Sequence, residues 1–268
     1  MDLMLISIVK LSSSKYLLLT LIGYCIVQIG CEDTDSSPNT NKYTYYDDIS
    51  DITYLNSSFY TTNYDLSGNA GEQIDLIVYD IVDTETVMNN KFSLGLNGQG
   101  YLSITNDGND LFLQSRSNYN IFKLSNTGEL AYLSSDTLDI KWLPSGLTYN
   151  SSNDSLVFLY RNTEKSNQYR LREVSKLLSQ ESKNDREFVL NGLDTTVYGA
   201  LCIAYKEPNL YVLAFDGQED VLITMDYSSL NLISNESVND STAVGIDIVN
   251  NSIYLSYRDR TISLFKEL

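Results

Sequence analysis

Apolar residues along this chain come in short alternating runs, paired seven positions apart across polar turns. Ile52 and Phe59 flank Asn56-Ser57-Ser58, Ile104 and Leu111 flank Asn106 to Asn109, and Tyr149 and Leu156 flank Asn150 to Asp154. Ile203 and Leu210 flank Lys206-Glu207-Pro208-Asn209, and Ile246 and Ile253 flank Asn250-Asn251. Each pair reads as a β-hairpin. A third apolar run follows every hairpin, at 74–79, 119–124, 168–171, 221–225 and 261–265. The second-strand residues Phe59, Leu111, Leu156, Leu210 and Ile253 are 52, 45, 54 and 43 positions apart. A propeller blade repeats every ~40 to 50 residues, whereas a helical repeat would space apolar residues by ~3.6. The pattern predicts an all-β chain folded as a five-bladed β-propeller over 42–268.

Fourth strands are expected at Lys91–Leu94, Ile140–Leu143 and Glu187–Leu190, with a weaker one inside Leu230–Val238. The fifth unit has none before Leu268, while the strand-like Lys42-Tyr43-Thr44-Tyr45-Tyr46 belongs to no unit. Pairing of 42–46 with 261–266 would close the ring and leave no open edge. Gly100, Ser145 and Gly199 each stand four residues before an inner-strand residue of a pair and are expected to let inner strands crowd together. Across Glu173–Ser182, Val174, Leu177 and Leu178 share the spacing of one helical face, which predicts a short helix or a long hairpin insertion.

Composition narrows the chemistry. The chain has no histidine, which removes imidazole-dependent triads and histidine-ligated zinc or haem. Its net charge of −17 makes nucleic acid a poor partner. Of three cysteines, Cys25 and Cys31 lie near the N-terminus, and Cys202 is expected as a small buried residue outside any disulfide framework. No cofactor is expected. Asp216-Gly217-Gln218-Glu219-Asp220 and Asn106 to Asp110 offer oxygen ligands but lack calcium-loop spacing, so they read as tight turns and no metal site is assigned.

Lys10 and Lys15 precede an apolar run at Tyr16–Gly30, too short for a bilayer span and followed at once by Cys31-Glu32-Asp33. This stretch resembles the signal of bacterial lipoproteins, with Gln28 departing from the usual aliphatic residue. The acids after the cysteine are similar to the surface-export signal of Bacteroidota lipoproteins. The resemblance implies a signal peptide at 1–30, lipidation of Cys31, a polar tether at 31–41, and attachment to the outer membrane or cell surface through that lipid. The rest of the chain resembles generic propeller-repeat lipoproteins, without the WD, kelch or Asp-box signatures, which implies a fold and no activity.

Loops joining second to third strands carry Arg116, Arg161, Lys165, Arg258 and Arg260, so they are less acidic than the rest of the chain. The ligand-binding candidates are Tyr64, Arg116, Tyr119, Arg161, Tyr257, Arg258 and Arg260. Tyrosines, with Tyr60 and Tyr160 also in these loops, suit stacking on sugar faces, and arginines suit carboxylate or sulfate. The function expected is binding or assembly, with a polysaccharide or envelope protein as partner. The alternative is a carboxylate-dependent glycosidase or lyase that uses Asp51 and Asp247, which the repeat places in adjacent blades.

Overall fold

The structure is a computed structural model that describes residues 48–64, 73–82, 85–97, 102–115, 119–125, 129–135, 141–165, 167–176, 182–191, 200–238 and 243–268. It contains five antiparallel sheets in chain order. The first blade is β1 (Asp48–Leu55), β2 (Ser58–Tyr64), β3 (Gln73–Val82) and β4 (Glu85–Asn97). The second is β5 (Leu102–Asn106), β6 (Leu111–Ser115), β7 (Asn120–Leu124) and β8 (Leu130–Ser135). The third is β9 (Trp142–Asn150), β10 (Ser155–Asn162), β11 (Gln168–Ser175) and β12 (Ser182–Val189). The fourth is β13 (Ala200–Lys206), β14 (Asn209–Phe215), β15 (Asp220–Asp226) and β16 (Leu232–Ser237). Among the described residues the fifth has three strands, β17 (Ala243–Val249), β18 (Ser252–Tyr257) and β19 (Ile262–Glu267).

The first strand of each sheet packs against the first strands of the two neighbouring sheets, and β17 packs on β1, so the five sheets form a closed five-bladed propeller. Turn chemistry fixes the hairpins. Asn56 and Ser57 have φ of 52° and 69°, and Asn250 and Asn251 have 47° and 70°. Two-residue turns with both centres left-handed match the twist of paired strands, and Asn tolerates that conformation better than most residues.

The hydrophobic core lies between blades. Five clusters of buried side chains fill the five gaps. In the gap between the fifth and first blades, Phe59 is fully buried with Ile49, Ile52, Val244 and Ile262. Its ring lies 5.0 Å from that of Tyr54 and 5.1 Å from that of Tyr254.

Several local expectations change. The fourth strand of the second blade is Leu130–Ser135, and the 142–143 end of the expected one opens the inner strand of the third blade. Val174 and Ser175 complete a strand, so the helical reading fails there; 177–181 lies outside the described residues. Tyr149 faces Leu156 directly, whereas Phe59 faces Tyr54 and Leu111 faces Asn106, so the counterpart of Ile52 and Ile104 is Leu147. The longer turn at 151–154 restored the seven-residue spacing by coincidence. Residues 42–46, Gly100 and Gly199 lie outside the described residues; Ser145 is a buried strand residue.

The registers put Asp51, Ser103, Gly146, Cys202 and Gly245 at one level of the inner ring, one residue before each anchor. This is the level at which small residues matter. A Cβ on Gly146 would sit 3.0 Å from Ile203 N, and one on Gly245 would sit 2.8 Å from both Asp51 Cα and Ile52 N. Cys202 is fully buried, and its thiol donates to Val244 O at 2.7 Å.

Candidate functional site

An antiparallel meander puts its second-to-third turns and the links between blades at one end of the propeller, and its first-to-second and third-to-fourth turns at the other. The arginine and tyrosine candidates belong to the first of these ends. Arg116 lies outside the described residues. Tyr64 ends β2, its backbone opposite Asp48. Tyr119 has φ of 62° and packs, partly buried, against the cluster between the second and third blades. Arg161 is partly buried near the end of β10, opposite Tyr169.

Tyr257, Arg258 and Arg260 share one tight turn. The Tyr257 N–H donates to Thr261 O at 2.9 Å, and the Arg260 N–H donates to Tyr257 O at 2.9 Å, with Arg260 at φ 71°. Between the arginines, the Asp259 carboxylate accepts from Thr261 N at 2.9 Å and Thr261 Oγ1 at 2.7 Å. Arg258 is exposed and Arg260 partly so. Tyr257 lies partly buried against the cluster between the fourth and fifth blades. The fold therefore brings Arg258 and Arg260 together, while Arg161 is two blades away around the ring. Two other tyrosines of the loops leave this end: Tyr160 is fully buried, its hydroxyl accepting from Gln114 Nε2 at 3.1 Å, and Tyr60 lies in a strand between blades.

The two axial aspartates lie at the seam between the fifth and first blades. Asp51 is fully buried; its Oδ1 accepts from its neighbour Ile52 N at 3.0 Å and from Ile246 N, across the seam, at 3.3 Å. Asp247 returns the contact in the opposite direction. Its Oδ2 accepts from Tyr54 N at 2.6 Å and its Oδ1 from Ile248 N at 2.8 Å. Burial pushes the Asp247 carboxyl up to about 6, against the lowering effect of the Tyr54 and Ile248 N–H groups and the Thr53 hydroxyl. At the level of Asp247 the other blades carry Thr53, Thr105, Thr148 and Ala204. The Thr148 Oγ1 accepts from Tyr205 N of the next blade at 3.1 Å, so Asp247 fills a staple position occupied elsewhere by threonine.

The opposite end carries dense polar bridging that no local sequence signal revealed, because its partners are far apart in the chain. Glu173 is buried and accepts from Ser155 Oγ, from Asn153 Nδ2 at 3.0 Å, from Asn150 Nδ2 at 3.2 Å and from the Tyr227 hydroxyl of the next blade at 2.9 Å. Burial works to raise its pKa, but these donors prevail and hold it below the ordinary carboxylate value. Lys176 bridges Asp107 of the second blade at 3.1 Å and Asp154 of its own at 2.9 Å. The two acidic stretches considered as oxygen-ligand loops cap their own turns. Asp216 Oδ1 accepts from Gln218 N at 2.8 Å and Glu219 N at 3.0 Å, and Asp107 Oδ1 from Asn109 N at 3.0 Å and Asp110 N at 2.9 Å.

Fold and site together define a five-bladed β-propeller with a carboxylate-stapled seam and an arginine-bearing turn at one end. Similar folds occur in Myxococcus xanthus glutaminyl cyclase, at 11% identity and a TM-score of 0.54 over 82% of this chain and 92% of that one. A structural-genomics protein of Bacteroides thetaiotaomicron VPI-5482 is 12% identical, with a TM-score of 0.50 over 79% of this chain and 57% of that one. Virginiamycin B lyase from Staphylococcus aureus gives 16% identity and a TM-score of 0.44 over 81% of this chain and 65% of that one. At these identities the first two likenesses are of fold alone. No protein-family model matches the chain, and no curated protein matches it by sequence.

Proposed function

We propose that this propeller is a lipid-anchored binding module of the bacterial envelope that recognises anionic polysaccharide through the turn bearing Arg258 and Arg260. The placement of both residues on one tight turn supports the reading. Two guanidinium groups so placed suit carboxylate or sulfate recognition, each contributing a charge-assisted bond of roughly 1.5 to 3 kcal/mol. A glycan array tests it with the purified protein and the Arg258→Ala/Arg260→Ala variant. Preference for uronic-acid or sulfated glycans, lost in the variant, is the expected outcome; binding confined to neutral glycans removes the assignment.

The anchor is assigned to Cys31, with residues 1–30 cleaved, on the apolar run that ends there. Mass spectrometry of the mature N-terminus is expected to find an acylated Cys31. Recovery of an intact 16–30 segment would refute it.

The hydrolase or lyase alternative draws its support from Asp247, because a carboxyl titrating at about 6 suits general-acid chemistry. Against it, both Asp247 oxygens and Asp51 Oδ1 accept backbone N–H bonds that join or brace the seam. A structural role for the pair accounts for these bonds, and binding is the reading we adopt.

A further inference from the structure

A cavity of about 340 Å³ opens between the first and second blades, away from the arginine-bearing turn. Its floor is made of Leu55, Leu76, Leu94, Leu111 and Leu124, all buried members of the cluster in that gap. Over the floor stand Tyr60, partly buried, and Phe92, which leaves 49% of its surface exposed. Ser93, Ser125, Asn56 and Asn109 add hydroxyl and amide groups around this apolar interior. Among the described residues the side-chain amides of Asn56 and Asn109 have no hydrogen-bond partner, although both residues are held in tight turns, Asn56 at φ 52° and Asn109 by its N–H to Asp107. Fixed backbones with unspent amide groups are suited to a ligand's hydroxyls.

The charges around the cavity are arranged to cancel. Asp75, Lys91, Asp110 and Lys123 each adjoin a lining residue in sequence but are not themselves part of the lining. They pair with one another, Lys91 with Asp75 at 2.8 Å and Lys123 with Asp110 at 2.7 Å. The lining has no acid or base apart from the phenol of Tyr60. An ionised ligand would lose hydration here without finding a counter-charge. Volume bounds the size: a cavity of ~150 Å³ takes up benzene, so this one suits about two rings.

We infer that the cleft between the first and second blades is a binding site for an uncharged, ring-bearing small molecule, with an apolar ring on the leucine floor against Phe92 and hydroxyls toward Asn56 and Asn109. The site is separate from the arginine-bearing turn and has the opposite charge preference.

Phenyl β-D-glucoside is a suitable probe, with one apolar ring and one polyhydroxylated ring. Titrated into the ¹⁵N-labelled full chain, it is expected to shift the amide signals of Phe92 to Leu94 and of Leu124 and Ser125, saturating with Kd on the order of millimolar, as a small unoptimised ligand does. Phenyl β-D-glucuronide, the same rings with a carboxylate, is expected to bind about tenfold more weakly. Leu124→Trp, which fills the floor, should abolish the shifts. Phe92→Ala removes an exposed ring at little risk to folding and should weaken binding about fivefold. Shifts confined to other regions, binding unchanged in Phe92→Ala, or equal binding of the glucuronide would each overturn the inference. None of these outcomes touches the arginine turn, whose failure would show on the glycan array instead.

Discussion

Gly245→Ala is expected to destabilise the propeller by about 3 kcal/mol, which for a domain of this size lowers Tm by roughly 6 to 12 °C. The added Cβ would stand 2.8 Å from Asp51 Cα and Ile52 N and 2.5 Å from Ser256 Oγ. Two of these are backbone atoms in the inner strand of the neighbouring blade, so relief requires the first and fifth blades to separate. That movement would also stretch the Tyr54 and Ile246 N–H bonds to the two aspartates. Gly146→Ala should cost about half as much, since its nearest contacts are 3.0 Å to Ile203 N and 3.1 Å to Ile203 Cγ1. Adding Ser256→Ala to Gly245→Ala removes the side-chain clash but neither backbone clash, so little stability should return. Urea denaturation of the four proteins gives the ranking. A Gly245 variant as stable as the Gly146 variant, or full recovery on adding Ser256→Ala, would show that the seam is not tight.

The second large effect is on pH dependence, and its sign runs opposite to that of a salt-bridged acid. Asp247 has an ordinary value of 3.8 and a folded value raised to about 6 by burial. Between those values the native state holds a proton that the unfolded state has lost, so stability falls as pH rises. Above about pH 6 the raised value costs the fold at most about 3 kcal/mol, less whatever the partly exposed side chain recovers from solvent. Asp247→Asn removes the titration, and its single oxygen can serve the Tyr54 N–H or the Ile248 N–H but not both. Between about pH 4.5 and 7 the parent should therefore lose at most about 2 kcal/mol relative to the variant. Acids held low, such as Glu173, Asp107 and Asp216, lose their contribution only as pH falls through and below their ordinary values of 4.5 and 3.8, so they act mainly at lower pH. Subtracting the two denaturation curves also cancels the self-repulsion of the acidic chain. Parallel curves would mean that Asp247 does not titrate in this window.

The blades were legible because Phe59, Leu111, Leu156, Leu210 and Ile253 are buried against neighbouring blades, and burial on both faces of a strand writes apolar residues into the sequence at a steady period. Outer strands carry less of that signal. Leu130–Ser135 shows solvent much of its surface, including Tyr132 at 59% exposure, so Ile140–Leu143, leading into the buried Trp142, was the stronger apolar run although it opens the next blade. The helical spacing of Val174, Leu177 and Leu178 failed as a guide because three residues cannot separate a helical stripe from a strand end. For the small residues of the inner ring, sequence offsets picked Ser145, but the crowded position is Gly146, since a longer turn shifts the third blade by two residues against the others. The grouping of Arg258 with Arg260 follows from adjacency in the chain. The cleft beside Phe92 does not, because its walls come from strands whose only link is their packing in space.

The carboxylate-stapled seam bears on which blades meet when the ring closes. A head-to-tail interface that repeats identically can close on itself or run on into an open array of copies. Here the fifth junction differs in its acids: Asp247 takes the staple position that Thr148 holds between the third and fourth blades, and Asp51 returns a bond to Ile246 N in the opposite direction. The fifth blade therefore presents a surface whose carboxylate contacts are matched to the first blade. A junction marked in this way favours closure of the first blade on the fifth within one chain over exchange of blades between copies.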